Sequence, residues 1–144
     1  MASIWSDEGR LARWLDVELA ALDGWATVAV VPAEAAAEIR RHAVPPTPER
    51  MAEIEERTQH DLAAFVDAVA EQLGPVGRWL HYGLTSSDVL DTALSLQVRE
   101  AGELVLEGLD PETKAFAEPP AQIKRRIDEV AKDSSISDAD RKQA

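Results

Sequence analysis

The chain has 144 residues, no cysteine and a formal net charge of −12. This length allows one domain with a hydrophobic core, and the lack of cysteine excludes disulfides and thiolate metal sites. The acidic excess argues against a general nucleic-acid-binding protein, although a locally positive pocket can still bind an anionic small molecule.

Composition also bears on fold class and on where the chain works. Alanine is prominent and β-branched residues are scattered, which predicts an all-α fold. The N-terminal stretch has no basic region followed by an apolar one, and no apolar run approaches membrane-spanning length. We therefore expect a cytoplasmic protein with no membrane partner.

The first predicted helix covers about residues 6–29. Ser6 is a good N-cap, and apolar residues then recur at helical spacing. Glu18 falls within that apolar stripe. Its carboxylate is either buried and paired or partly exposed at the edge of the stripe, and the sequence leaves both interpretations open.

Three more helices are predicted before residue 110. The apolar spacing indicates a short helix over 33–42, a long one over 47–73 and another over about 86–109. The last is apolar over most of its circumference, as in helices that are surrounded by others. A chain of this length supplies few helices to cover it, so we expect an exposed apolar surface, which implies either self-association through this helix or a missing portion.

Beyond Asp110 the sequence changes character. Three prolines interrupt the helical pattern, and residues 111–144 have no net charge. Thin apolar spacing and a second capping signal predict short helices over about 120–132 and from about 138. All four lysines of the chain lie in this tail: Lys114, Lys124, Lys132 and Lys142.

The segment that looks most suited to a ligand is HYGLTSSD at residues 81–88. Thr85 and Asp88 have the spacing of a capping box, so a helix should begin there. A helix N-terminus with nearby hydroxyls and a histidine suits a carboxylate or phosphate. However, hydroxyls at an N-cap need no ligand, and His81 taken alone is better explained as a loop histidine that bonds to backbone.

His60 is the second point of interest. It lies about opposite the centre of the apolar stripe of the predicted 47–73 helix, so it faces solvent, a partner or a site. Asp61 beside it either orients an imidazole or adds surface charge. Histidine can transfer protons near neutral pH or pair with an anion. The sequence has no zinc-ligand spacing, phosphate-binding glycine loop or nucleophile elbow.

Four stretches of the chain resemble the adenylosuccinate lyases of the fumarase/aspartase superfamily, in the family's order and with natural spacing over about residues 1–110. The stretches are IWSDE at 4–8, WLDVELA at 14–20, TQHD at 58–61 and WLHYGLTSSDVLDTA at 79–93. The superfamily comprises all-helical homotetramers built around a long helix bundle. The resemblance implies an N-terminal helical domain over 1–84, the start of a bundle helix over 85–110 and an unrelated tail over 111–144.

The resemblance also implies a reaction. Adenylosuccinate lyases eliminate fumarate from adenylosuccinate, giving AMP, and from the succinylated carboxamide intermediate of purine synthesis. A base removes a proton next to a carboxylate and an acid protonates the departing nitrogen, without metal or organic cofactor. By resemblance, the substrate-binding residues are Gln59, His60, Asp61, Thr85 and Ser86, and His60 and His81 have supporting catalytic roles.

Part of the family's machinery has no counterpart in this sequence. An Arg-Tyr pair ahead of the Trp5 region, a catalytic serine on a glycine-rich loop and a later histidine are missing. We therefore expect an N-terminal lyase fragment that is inactive alone. The alternatives are a non-catalytic helical oligomerisation or interaction module and a gene remnant. For the origin of the tail over 111–144, three alternatives are open: a fusion, a frameshifted read or a real divergence.

Overall fold

The computed structural model of the chain describes residues 1–109 and Arg125. These residues form helices and contain no strand, which confirms the predicted all-α fold. The helices predicted over 120–132 and from 138 lie outside the described residues. The described helices are α1 (Asp7–Thr27), α2 (Ala33–His42), α3 (Pro48–Thr58), α4 (Asp61–Leu73) and α5 (Ser86–Gly108), with short 3-10 helices over Ala2–Trp5 and Gly74–Trp79.

The chain divides into two compact units, Met1–Leu104 and Val105–Ala144. The first contains α1 to α4 and most of α5. The domain divisions expected near residues 84 and 110 stay predictions. Among the described residues, no helix combines the length and the apolar character needed to cross a bilayer.

The core of the first unit lies between α1, α2, α3 and α4, and the buried side of α5 packs against it. Trp14 of α1 meets Phe65 of α4 edge to face, with ring centroids 5.5 Å apart. Each fully buried large apolar side chain contributes about 1.5–3 kcal/mol to folding, so these contacts dominate the stability of the unit. The largest fully buried side chains are Phe65, Leu11, Ile39, Leu62, Val31, Val69 and Val89.

The predicted start of α1 is confirmed. The Ser6 hydroxyl accepts a hydrogen bond from the Gly9 N–H at 3.1 Å, as an N-cap residue does. Glu8 follows in the first turn, where its own backbone N–H and the Ser6 side chain bond its carboxylate and lower its pKa. These local bonds fix where α1 enters the core.

The prediction of a single helix over 47–73 is wrong, because the helix is interrupted at Gln59 and His60. Gln59 has a φ of 52°, in the left-handed region, and its N–H closes α3 on the Glu55 carbonyl. His60 is extended and caps α4 by accepting from the Ala63 N–H at 3.3 Å. The apolar pattern runs through the break because α3 and α4 both face the core and pack against each other.

The predicted helix over 86–109 is confirmed as α5, and so is its exposed apolar surface. Val89, Ala93 and Gln97 form its buried side. The Gln97 side-chain amide donates to the Ile4 carbonyl and so ties α5 to the first turn of the chain. On another side, Leu94 and Val98 are 52% and 55% exposed.

Candidate functional site

The candidate site lies where the N-terminus of α4 meets the N-terminus of α5. Here His60 Nε2 and Ser86 Oγ are 3.2 Å apart, although the two residues are 26 positions apart in sequence. The other ring nitrogen, Nδ1, accepts the Ala63 N–H, so the neutral ring carries its proton on Nε2 and donates it to Ser86. The break between α3 and α4 therefore aims this histidine at α5.

The first turn of α5 is held by Asp88. Its Oδ2 accepts from both the N–H and the hydroxyl of Thr85, at 2.7 and 2.9 Å. These bonds to the charged form lower the pKa of Asp88, with the backbone bond as the largest cause. The bond from the N-cap backbone N–H to the acidic side chain, which a capping box requires, is thus present. The Thr85 hydroxyl donates to the same carboxylate.

His81 is attached to α1 through Glu18. The His81 N–H donates to Glu18 Oε2 at 2.8 Å, and the ring Nδ1 lies 2.7 Å from Glu18 Oε1. Glu18 is only 2% exposed, which settles the open question in favour of a buried, paired carboxylate. The His81 ring bonds to this side chain, so the interpretation of His81 as a loop histidine that bonds to backbone is wrong.

The loop between His81 and Thr85 is shaped by an aromatic contact. Gly83 has a φ of 71°, and a Cβ at that position would lie 2.9 Å from Cζ2 of Trp25. Tyr82 meets the same tryptophan edge to face at 6.0 Å. Trp25 and Glu18, both on α1, therefore support the loop. The sequence left a buried, paired Glu18 open but indicated neither its partner nor the contact of Trp25, because these contacts join residues far apart in the chain.

The remaining predicted site residues flank His60 but have local partners. The Gln59 side-chain amide donates to the Glu56 carbonyl at 2.8 Å. Asp61 Oδ1 accepts from the Leu62 N–H at 2.7 Å. The structure therefore joins His60 directly to Ser86. Asp61 also contacts the ring, with its Oδ1 3.4 Å from His60 Nδ1, whereas the Gln59 side chain is bonded to α3. The functional roles of all these residues stay predictions.

The chemistry available at this point is anion binding and proton exchange. Hydroxyls, imidazoles and the N-terminal end of α5 supply hydrogen-bond donors and a partial positive charge. Within the described part of the chain, no group of three or more His, Cys, Asp or Glu side chains is arranged to hold a metal ion. Three carboxylates lie at this point, and each has a described partner: Asp88 accepts from Thr85, Glu18 pairs with His81, and Asp61 lies against His60.

Solved structures with the same fold define the class. A fumarate lyase from Mesorhizobium matches with a TM-score of 0.68 and 27% identity, covering 74% of this chain and 26% of that one. The beta-carboxy-cis,cis-muconate cycloisomerase of Acinetobacter calcoaceticus matches with a TM-score of 0.66 and the same identity and coverage. The chain therefore has the fold of the N-terminal region of the fumarate lyase superfamily.

Sequence comparison sharpens this class. Over 110 residues the chain is 44% identical to the adenylosuccinate lyase of Bacillus subtilis and 43% identical to that of Staphylococcus saprophyticus. In both cases the match covers 76% of this chain and 25% of the relative. No family model matches the chain. The predicted resemblance to the N-terminal portion of adenylosuccinate lyase is confirmed, and the chain spans about a quarter of the length of these relatives.

Proposed function

We propose that this chain supplies part of the substrate site of a cytoplasmic adenylosuccinate lyase of purine biosynthesis. The reaction is the β-elimination of fumarate from adenylosuccinate and from the succinylated carboxamide intermediate. The observation that carries the proposal is the 3.2 Å contact between His60 and Ser86, since it joins two of the segments on which the resemblance rests.

The proposed roles follow from the donors at the site. The first-turn N–H groups of α5 and the Ser86 hydroxyl bind a carboxylate of the succinyl group, and Thr85 lies beside them. Gln59, His60 and Asp61 line the approach from α4. The His60 ring donates to Ser86 and so leaves the Ser86 O–H available to the substrate, while a protonated His81 ring has an Nε2–H for a substrate rich in anionic oxygens.

Binding and turnover are separable in this proposal. The serine and the histidine that the resemblance assigns to proton transfer have no counterpart among these 144 residues. We propose that the purified chain binds adenylosuccinate without cleaving it. A fumarate-release assay on this chain is expected to give no rate above the uncatalysed background, and steady turnover would refute this part of the proposal.

Replacing Ser86 by alanine tests the binding role. A hydrogen bond to a charged group contributes about 1.5–3 kcal/mol, so Ser86→Ala is expected to weaken adenylosuccinate binding by about 10-fold to 150-fold. Isothermal titration calorimetry on the 144-residue chain measures this. Ser95→Ala is the matched control, because Ser95 is an exposed serine further along α5. Equal affinities for the wild type and Ser86→Ala would contradict the assignment.

A second candidate function is a non-catalytic helical interaction module. The observation that favours it is the exposed apolar side of α5, where Leu94 and Val98 follow each other by one helical turn. Such a surface suits a homo-oligomer or association with an intact lyase. The two candidate functions use different parts of α5, so ligand binding and association are tested independently.

A further inference from the structure

The buried carboxylate of Glu18 has a single partner residue among the described part of the chain. Both of its oxygens are used by His81, one by the backbone N–H and the other by ring Nδ1. A carboxylate removed from water is costly unless its oxygens are hydrogen-bonded. The arrangement meets that requirement with one residue from the loop that leads into α5.

This pairing determines which ring nitrogen of His81 carries the proton. An ionised carboxylate only accepts hydrogen bonds, so Nδ1 must be the donor to Glu18 Oε1. Nε2 then has a free lone pair in the neutral ring, or a free N–H in the charged ring. No described residue is bonded to Nε2.

The backbone conformation of the loop restricts the orientation of the His81 ring. His81 itself has a φ of 58°, and Gly83 two residues later is packed against Trp25. The pKa of Asp88, in the first turn of α5, is lowered mainly by the backbone and side-chain hydrogen bonds from Thr85 and least by the charge of His81. The ring is therefore held by α1 at the N-terminal end of α5.

We propose that Glu18 is a positioning residue that fixes His81 as the Nδ1–H tautomer and leaves Nε2, once it binds a proton, to donate to an anionic oxygen of the substrate. This inference rests on the proposed function, because it extends the same site. When the ring binds a proton at Nε2, the Glu18 carboxylate balances the charge and the new N–H donates to the substrate. Glu18 acts through His81 and does not touch the substrate.

The tautomer is measured directly by long-range ¹H–¹⁵N correlation spectra of the 144-residue chain labelled in histidine. Loss of one signal set in His81→Asn identifies the ring. The wild type is expected to carry the proton on Nδ1. In Glu18→Gln, the amide NH₂ donates to Nδ1 while its oxygen keeps the backbone bond, so the proton should move to Nε2. Asp16→Asn, an exposed change on the same helix, should leave the spectrum unchanged.

A wild-type ring with its proton on Nε2 would overturn the proposal, and so would a Glu18→Gln ring that keeps its proton on Nδ1. The wild-type spectrum decides the tautomer even when the variant does not fold. A merely structural role for Glu18 would change stability without reversing the tautomer.

Titration with adenylosuccinate then tests the consequence for binding. Glu18→Gln is expected to weaken binding by about tenfold, because the neutral amide cannot balance the charge of the ring and the hydrogen bond from Nε2 to the substrate loses its charge assistance. Unchanged affinity together with a reversed tautomer would overturn the role of the pair in binding. Absence of binding by the wild-type chain would refute the proposed function, while the tautomer result would still decide whether Glu18 positions the ring.

Discussion

Asp88 connects the start of α5 to the pH of the solution. Its carboxylate accepts two hydrogen bonds from Thr85, and both favour the charged form. The pKa of Asp88 is therefore lower in the folded chain than in the unfolded chain. A group with a lowered folded pKa stabilises the fold above its unfolded pKa, and this stabilisation is lost as the pH falls through the folded value.

We expect the Thr85 amide to report the protonation of Asp88 when the pH is lowered. Its NMR chemical shift should change with a midpoint below about 3.9, the ordinary value for aspartate. Asp88→Asn should abolish the transition, because no carboxylate remains to be protonated. Asp91→Asn, another exposed acid on α5, should leave it in place. A midpoint at or above the ordinary value would contradict the bonding described at Thr85.

Single residues show what the sequence could predict and what it could not. The capping spacing of Thr85 and Asp88 is local, so it located the start of α5 correctly. The pairing of Glu18 with His81 spans 63 positions, and periodicity carries no information about such a partner. His60 was expected to be exposed, and it is, but as the N-cap of α4 and not on the outer side of one long helix.

At the scale of elements, the break between α3 and α4 is the feature that periodicity concealed. Ile54, Thr58 and Leu62 continue the core-facing positions at helical spacing, so the pattern predicts one helix. The break depends on Gln59 in a left-handed conformation and on a histidine as N-cap. Neither residue is a usual signal for a helix end or start, and the two helices still share one core.

The loop before α5 is expected to be intolerant of a side chain at Gly83. An alanine there would adopt a φ of 71° and place its Cβ 2.9 Å from the Trp25 ring. The conformational strain and the contact together should lower the free energy of unfolding by about 1–3 kcal/mol. Chemical denaturation monitored by far-ultraviolet circular dichroism measures this change.

Gly24 provides the matched control for that variant. It lies inside α1, and a Cβ at this position would meet no atom within 4 Å. Gly24→Ala should therefore raise the free energy of unfolding by about 0.5–1 kcal/mol, because alanine is the better helix former. Equal effects of the two substitutions would show that the loop does not have the described conformation.

At the scale of the whole molecule, the apolar side of α5 is expected to drive self-association. Val98→Glu places a charge on this surface and should shift the chain toward monomer in light-scattering measurements after size exclusion. Val44→Glu is the control, because Val44 is a valine with the same 55% exposure outside α5. A wild-type chain that is monomeric at all concentrations, or equal effects of both variants, would count against this surface as an interface.

The sequence predicted the helical class, the position of α5 and its exposed apolar surface, because these depend on composition and local spacing. From the spacing of Thr85 and Asp88 it predicted a helix N-terminus that is suited to bind an anion. It did not predict the supports of the site on α1, since Glu18 and Trp25 act through contacts across the fold. The resemblance supplied the reaction, which no local pattern in these 144 residues defines.

The aromatic support of the loop has a practical consequence. Two of the four tryptophans, Trp25 and Trp79, lie beside Tyr82 in this loop, whereas Trp14 is buried against Phe65. We expect the emission of Trp25 and Trp79 to respond to changes around Tyr82, and that of Trp14 to respond to loss of the core. A fluorescence titration can therefore test ligand binding at the proposed site without any attached dye.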